Sequence, residues 1–298
     1  MKSFDCQGRG LPVTVGLILM HNRTLNRRRL LAAVFAGGMM PLSSACSDEN
    51  PCDPELRNAL LWAVAWKQSA AEYGALCYQA YNVARMQLEL AIAAVQDKPL
   101  AVITDMDDTI LHAGSYWGHL VSGNRDFFDD AIWDEWIPKN LVTAVPGSLD
   151  FLQFCHANAV EVFYVTSRDQ GEQSFELALG HLLKLNFPYA DAEHLIVFRD
   201  TSDKSPARER IAKTHEIAML IGDNLNDYKR DYYVTDVEQR MALMQRDRGD
   251  FGRKFIVLPN PTDGHWVRAI FGESEPAPTD VNRRKLRAAA TRLAWDGR

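Results

Sequence analysis

The sequence predicts an α/β fold, in which a parallel sheet is covered by helices on both faces. Five short apolar runs are typical of buried strands, at residues 100–104, 160–165, 194–198, 217–221 and 254–258. The intervals between most of them are typical of helices, at residues 148–157, 172–185, 206–213 and 228–248. Strands that alternate with helices favour a parallel sheet, because each crossover places a helix on one face.

The predicted sheet and its helices form a core at residues 99–272. Two further helical regions are expected beside this core. Residues 55–95 contain no proline and are rich in Ala, Leu, Gln and Met, which predicts one long or two shorter helices within an N-terminal segment at 46–98. Residues 111–145 follow the first strand and interrupt the alternation with a cluster of aromatic residues. We expect these two regions to form a smaller helical domain or cap. The basic tail at 273–298 is predicted as a solvated helix.

The first 45 residues differ from the rest of the chain in charge. They carry six basic residues and one acidic residue, which leaves 27 basic and 38 acidic residues in the remainder, a net charge of −11. A basic run at 27–29 precedes a 13-residue apolar stretch and small residues that end at Cys46. This order is typical of a signal peptide with twin arginines, and the apolar stretch is too short to span a membrane.

Export to the periplasm or the outer membrane is therefore expected, with residues 1–45 as the signal peptide. Cys46 is a candidate lipidation site, and Met20 is an alternative start. In an oxidising compartment Cys52 and Cys77 are able to pair, although unpaired thiols fit the sequence equally well.

Composition excludes several classes of protein. Five cysteines in 298 residues are too few for a disulfide scaffold. A net charge of −6 and a pI near 5.8 do not favour binding to a nucleic acid polymer. We expect membrane contact only through a lipid at Cys46.

Polar residues follow the predicted strands at the point where each strand ends. They are Asp105 and Asp107 after the first strand, Thr166 after the second, Lys204 near the third, and Asp223 and Asp227 after the fourth. Ligands of open α/β sheets bind at this edge. Gathered carboxylates repel each other unless a cation neutralises them, and oxygen ligands without histidine suit Mg²⁺. The sequence therefore predicts a magnesium site, with a Lys and a Thr able to bind phosphoryl oxygens.

These four sets, in this order, resemble the motifs of the haloacid dehalogenase (HAD) superfamily. Residues 66–82, 162–168, 221–227 and 255–261 are similar to the class C bacterial acid phosphatases, the lipoprotein acid phosphatase/5′-nucleotidase group. The resemblance covers about residues 57 to 268. It implies a HAD-like, Rossmann-like core and Mg²⁺-dependent hydrolysis of small phosphomonoesters.

The resemblance also implies a role for each motif residue. Asp105 is expected to be the nucleophile that forms an aspartyl-phosphate, and Asp107 the general acid and base. The other implied roles are Mg²⁺ binding by Asp105, Asp107 and Asp223, phosphate binding by Thr166 and Lys204, and orientation of Lys204 or a metal-bound water by Asp227.

The substrate is the least determined feature. Asp263 occupies the position of a family tyrosine that is thought to help hold a nucleobase, and Asp108 replaces a usual glutamate. Tyr116 and Trp133, in the insertion, are the expected walls of a leaving-group pocket. Nucleoside monophosphates are the leading expectation, another small phosphomonoester is the first alternative, and a non-catalytic ligand-binding surface lipoprotein is the second.

Overall fold

A parallel sheet forms the centre of the computed structural model, which describes residues 58–94 and 97–297. The strands of this part of the chain are β1 (Leu100–Thr104), β2 (Leu111–His112), β3 (Thr143–Ala144), β4 (Glu161–Ser167), β5 (Leu195–Phe198), β6 (Glu216–Gly222) and β7 (Phe255–Val257). Five of them pair in the order β5-β4-β1-β6-β7, and every pairing is parallel. β2 and β3 form a separate antiparallel pair. The predicted α/β class and parallel sheet are confirmed.

Alternate residues of β1 enter different cores, since successive side chains of a strand point to opposite faces. Val102 packs in the larger core, while Ala101 and Ile103 pack in a smaller one on the other face with Phe163 of β4. β1 pairs with β4 on one side and with β6 on the other. The segments that follow β1, β4 and β6 are therefore neighbours in space.

Helices cover both faces of the sheet. They are α1 (Leu61–Ser69), α2 (Ala71–Ala93), α3 (Gly114–Ser122), α4 (Asp130–Trp136), α5 (Ser148–Ala157), α6 (Ser174–Lys184), α7 (Ser205–Thr214), α8 (Val237–Arg246), α9 (Trp266–Phe271) and α10 (Asp280–Ala290). Helices α2, α5 and α6 contribute Leu88, Leu152 and Leu182 to the larger core. Helix α7 contributes Ala207 and Ile211 to the smaller one.

The N-terminal region contains two helices rather than one. Ala70 has a ψ of 127°, outside the helical range, and so separates α1 from α2. Tyr73 and Tyr81 of α2 pack in the same core as Val102 of the sheet. The helices of the N-terminal segment therefore share the main hydrophobic core.

The helix predicted over residues 228–248 is wrong in its first part. The structure has short 3₁₀ turns at Leu225–Asp227 and Arg230–Tyr232, and α8 begins only at Val237. Tyr228 is buried, and its hydroxyl donates to backbone carbonyls of Gly222 and Ile256. These bonds hold the chain against the sheet, and the Asp236 side chain caps α8.

Several expectations concern residues outside the described part. They are the signal peptide at 1–45, the start at Met20, lipidation of Cys46 and the pairing of Cys52. Cys77 and Cys155 are buried free thiols. Among the described helices, none combines the length and apolar character needed to cross a membrane.

Candidate active site

The loop after β1 places Asp105 and Asp107 in one cleft. The Met106 carbonyl accepts from the amides of Thr109, Ile110 and Leu111, which closes a tight turn. Asp108 adopts a left-handed φ of 54°, uncommon for a residue with a side chain. The turn breaks strand geometry, so that two carboxylates separated by one residue line the same cleft.

The loop after β6 is shaped by a close approach to Gly222. A Cβ at Gly222 would lie 2.2 Å from Oδ2 of Asp227, so no larger residue fits. Asp227 Oδ2 accepts from the Asn224 amide, 3.0 Å away, within a capping box. The other oxygen of Asp227 is thereby directed to Lys204.

Lys204 lies between two of the predicted carboxylates. Its Nζ is 2.5 Å from Asp105 Oδ1 and 2.7 Å from Asp227 Oδ1. Burial alone would lower the pKa of Lys204, but Asp105 and Asp227 outweigh it and raise that pKa above its ordinary value. Lys204 therefore stays charged, and it contacts Asp227, the residue expected to orient it.

Asp105, Asp223 and Asp227 form a cluster able to hold a cation. They offer carboxylate oxygens that all lie within 4.8 Å of one another. Burial, with Asp227 and Asp107 nearby, raises the pKa of Asp105 to about 7 although Lys204 opposes the shift. Burial and the charges of Asp227 and Asp105 also raise the pKa of Asp223 well above its ordinary value.

Such an all-oxygen set fits a hard divalent cation, because added positive charge would offset the repulsion that raises these pKa values. The Mg²⁺ ligands expected from the sequence are Asp105, Asp107 and Asp223. The structure brings the Asp227 carboxylate into the cluster as well. When bound, the cation would offset negative charge and orient a phosphoryl group.

Asp107 is held by a residue that the sequence did not assign to it. Arg168, just after β4, donates from Nε to Asp107 Oδ2 at 2.8 Å and from NH2 to Oδ1 at 2.7 Å. Its third nitrogen, NH1, lies 2.9 Å from Nδ1 of His181. The Arg168 side chain is 1 % exposed. A bidentate arginine fixes both oxygens of a carboxylate, so Asp107 has one defined orientation.

Lys67 of α1 contacts the same loop and was missed entirely. Its Nζ lies 2.6 Å from Asp108 Oδ2 and is buried with it. Asn260, after β7, donates to Asp108 and Asp223. Lys67 lies within residues 66–82, one of the segments that carry the family resemblance, but a lysine in an amphipathic helix gives no sign of which carboxylate it contacts.

The charged cluster opens into a cleft of about 710 Å³. We call the part formed by Asp105, Asp107, Thr166, Lys204, Asp223 and Asp227 the motif side. Thr166, at the end of β4, is buried and lines it. The motif side thus combines carboxylates that are able to hold a cation with one ammonium and one hydroxyl that are able to donate hydrogen bonds to phosphoryl oxygens.

A second group of lining residues, which we call the aromatic side, comprises Trp117, Phe128, Asp130, Trp133, Asp263 and Glu275. Burial raises the pKa of Asp263 to about 6, and the charges of Asp108 and Asp130 add to the shift. Asp263 lines the cleft. The aromatic side is therefore partly acidic.

The expectation that Tyr116 faces the substrate does not agree with its position. Tyr116 is 0 % exposed, and its ring packs edge-on against Trp133 at 4.9 Å. Its hydroxyl donates to the Asp129 carbonyl and accepts from the Asp129 amide. Trp133 lines the cleft. Tyr116 therefore supports the wall from behind, because packing among aromatic rings buries it completely.

Known proteins show the same combination of fold and motifs. The family model of the HAD superfamily, subfamily IIIB (acid phosphatase), matches residues 49–266. The structure of the class C acid phosphatase from Bacillus anthracis with tungstate bound is similar, with 29 % identity and a TM-score of 0.72, over 79 % of this chain and 96 % of that chain. A second structure of that enzyme matches at 28 % identity and a TM-score of 0.72, over 81 % and 98 %. The chain therefore belongs to the subfamily IIIB acid phosphatases of the HAD superfamily, and it is a phosphomonoesterase.

Proposed function

We propose that the protein is an exported, Mg²⁺-dependent acid phosphatase that hydrolyses nucleoside monophosphates through an aspartyl-phosphate. The observation that carries the chemistry is the contact of one buried lysine, Lys204, with Asp105 and Asp227 beside Asp223. The ammonium, together with a cation held by the carboxylate cluster, would provide the positive charge that an otherwise acidic protein needs to hold a phosphate ester.

In the first step of the proposed mechanism an oxygen of Asp105 attacks phosphorus. The bond from phosphorus to the leaving oxygen breaks, and Asp107 gives that oxygen a proton. In the second step Asp107 takes a proton from water as the water oxygen attacks phosphorus. The bond to Asp105 then breaks and inorganic phosphate leaves. Lys204 and Thr166 stabilise the phosphoryl oxygens as negative charge builds on them.

Arg168 adds one requirement to this mechanism. Both oxygens of Asp107 accept hydrogen bonds from its guanidinium. Each carboxylate oxygen has two lone pairs, so an oxygen that accepts from Arg168 can still carry the transferred proton. The proton must therefore occupy the lone pair that faces the cleft, while the two bonds to Arg168 keep the side chain in place.

Two features support Mg²⁺ and export. The ligands near Asp105 are oxygen atoms of carboxylates, which suit Mg²⁺ better than softer metals. The signal-peptide order of residues 1–45, with Cys46 as the lipidation site, supports an exported protein that is anchored in the outer membrane or free in the periplasm. A leader cleavage assay with labelled lipid tests the second feature.

Nucleoside monophosphates are proposed because Trp133 and Phe128 line the cleft next to the motif side. Aromatic faces stack on any base without needing a sequence-specific partner. A different small phosphomonoester is the second candidate, and Asp263 favours it. A carboxyl group cannot stack on a base, and its charge disfavours a second anionic group on the substrate.

A substrate panel tests the proposal. Purified protein is assayed on p-nitrophenyl phosphate, nucleoside 5′-monophosphates and sugar phosphates, with Mg²⁺ and after chelation. Asp105→Asn is expected to abolish all hydrolysis, whereas Asp150→Asn, on the exposed face of α5, retains it. Full activity after chelation contradicts the metal requirement. A preference for sugar phosphates over nucleotides selects the second candidate.

A further inference from the structure

Lys67 and Lys204 are the two buried lysines in the described part of the chain. They bind opposite ends of the same loop, since Lys204 contacts Asp105 and Lys67 contacts Asp108. Lys204 belongs to the four motif sets, whereas Lys67 lies on α1, outside them. A buried ammonium is costly unless its protons are bonded, so its position calls for a physical reason.

All three protons of the Lys67 ammonium have an acceptor. Nζ lies 2.6 Å from Asp108 Oδ2, 3.0 Å from Thr262 Oγ1 and 3.1 Å from Asn260 Oδ1. The side chain is 1 % exposed. These acceptors come from the loop after β1 and the segment after β7, so one ammonium ties α1 to two loops of the site.

Asn260 links Lys67 to the carboxylate cluster, because its side-chain amide is hydrogen-bonded to both. Its Oδ1 accepts from Lys67, while its Nδ2 donates to Asp223 Oδ2 at 2.8 Å. A flipped amide would set its oxygen against the carboxylates of Asp223 and Asp108, and its NH₂ against the ammonium. Lys67 therefore favours the one amide orientation that donates to Asp223.

The hydrogen bonds of Asp223 are then defined on both oxygens. Oδ2 accepts from Asn260, and Oδ1 accepts from Thr109 Oγ1 at 3.0 Å. Groups that orient a metal-binding side chain commonly change metal affinity 10- to 100-fold when they are removed.

We propose that Lys67 is a positioning residue of the active site, which holds Asp108 and Asn260 and through them orients Asp223. Helix α1 is thereby part of the phosphatase site as well as of the core. The inference rests on the proposed function, since it assumes that Asp223 takes part in binding a divalent cation.

The sign of the change in metal affinity separates positioning from simple charge compensation. Removing a nearby positive charge makes an acidic site more negative, which by itself tightens cation binding. Lost orientation of Asp223 weakens it. We expect Lys67→Met to weaken Mg²⁺ binding by about 10- to 100-fold in calorimetric titration of the metal-free protein. The Mg²⁺ concentration for half-maximal activity should rise by the same factor.

Two further variants keep the test decisive. Lys67→Met leaves Asp108 buried without a counter-charge, so Lys67→Met/Asp108→Asn removes both charges and protects folding. Leu88→Ala, in the core of α2, lowers stability without touching the network and should leave Mg²⁺ affinity unchanged. Weakened binding in both Lys67 variants, but not in Leu88→Ala, supports the proposal.

Unchanged or tighter Mg²⁺ binding in Lys67→Met overturns the proposal, as does wild-type affinity in the double variant. Loss of affinity in Leu88→Ala equal to that in Lys67→Met also overturns it, because general destabilisation would then explain both. If the wild-type protein neither binds Mg²⁺ nor needs it, the proposed metal-dependent function fails instead.

Discussion

On the motif side of the cleft Asp105 and Asp107 each contact a buried cation, whereas Asp263 on the aromatic side forms no ion pair within residues 58–94 and 97–297. Lys204 lies 2.5 Å from Asp105, and Arg168 binds Asp107 through two nitrogen atoms. Pairing holds a carboxylate in one orientation, which attack at a fixed phosphorus atom requires. Among the described residues the carboxyl group of Asp263 has no such partner, so its charge and orientation are able to change with pH and with the bound ligand.

This contrast indicates a division of labour within one cleft. In the proposed mechanism, geometry is fixed where the same chemistry is repeated for every substrate. The proposal leaves recognition of the leaving group to aromatic rings and to Asp263, a carboxyl group with a raised pKa whose charge changes with pH. The predictions below test each side, beginning with the largest effect.

Asp105→Asn should lower kcat by at least about 10⁴-fold, since a neutral amide oxygen is a poor nucleophile toward phosphorus. The measurement is kcat with p-nitrophenyl phosphate at saturating Mg²⁺. Because Asn keeps the size of the side chain, circular dichroism should be unchanged. Residual activity within tenfold of wild type would remove Asp105 from its proposed role.

Arg168→Lys should lower kcat by about 100-fold, because one ammonium cannot form the two parallel bonds that orient Asp107. KM should change little, since the proposed role of Arg168 is to hold the acid rather than the substrate. Steady-state kinetics on one nucleotide and on p-nitrophenyl phosphate measures both constants. A rise in KM with constant kcat would show instead that Arg168 binds the phosphate.

Trp133→Leu should raise KM for a nucleoside monophosphate by about tenfold, since stacking on one base contributes about 1–3 kcal/mol. KM for a sugar phosphate is the internal reference and should change less. Tyr116→Phe is the matched control, because the Tyr116 hydroxyl forms hydrogen bonds with the Asp129 backbone and lies behind the wall. Equal changes for both substrates would contradict stacking.

Asp263 should make stability depend on pH. Its folded-state pKa of about 6 lies above its ordinary value of 3.8, so its neutral form is favoured in the folded protein. This contribution is complete below about pH 4 and is lost as pH rises through 6. Asp263→Asn should therefore raise the free energy of unfolding at pH 8 by about 1 kcal/mol, after allowing for the partial exposure of Asp263, which corresponds to a rise in Tm of a few degrees. Tm at pH 4 should be unchanged. Thermal melts at both values test this, and an equal effect at both would exclude titration of Asp263.

The sheet was predictable because its strands are short apolar runs between polar segments. The predicted and observed ends of each strand differ by no more than two residues, as in β4 (Glu161–Ser167), predicted at 160–165. The helix predicted at 228–248 failed in its first part because Tyr228 forms tertiary hydrogen bonds with the sheet. Local pattern carries no information about such distant partners.

The candidate site also has features that the sequence predicts and features that it does not. Thr166 lies at the end of a strand, and Asp105, Asp107, Lys204 and Asp223 follow strands, so their convergence could be expected from the order of strands and helices. The partnership of Arg168 with Asp107, 61 residues away, could not. Which of two aromatic residues faces the cleft, Trp133 or Tyr116, also depended on how the insertion packs.

The sequence by itself determined the α/β class, the edge of the sheet where the chemistry lies and the family resemblance, because these follow from periodicity and from motifs at strand ends. Only the tertiary structure decided which cation pairs with which carboxylate. Lys67 and Asn260 meet at a distance of 3.1 Å although 193 residues separate them along the chain. Burial makes each such pairing consequential, since a charge in the interior requires its partner and a charge at the surface does not.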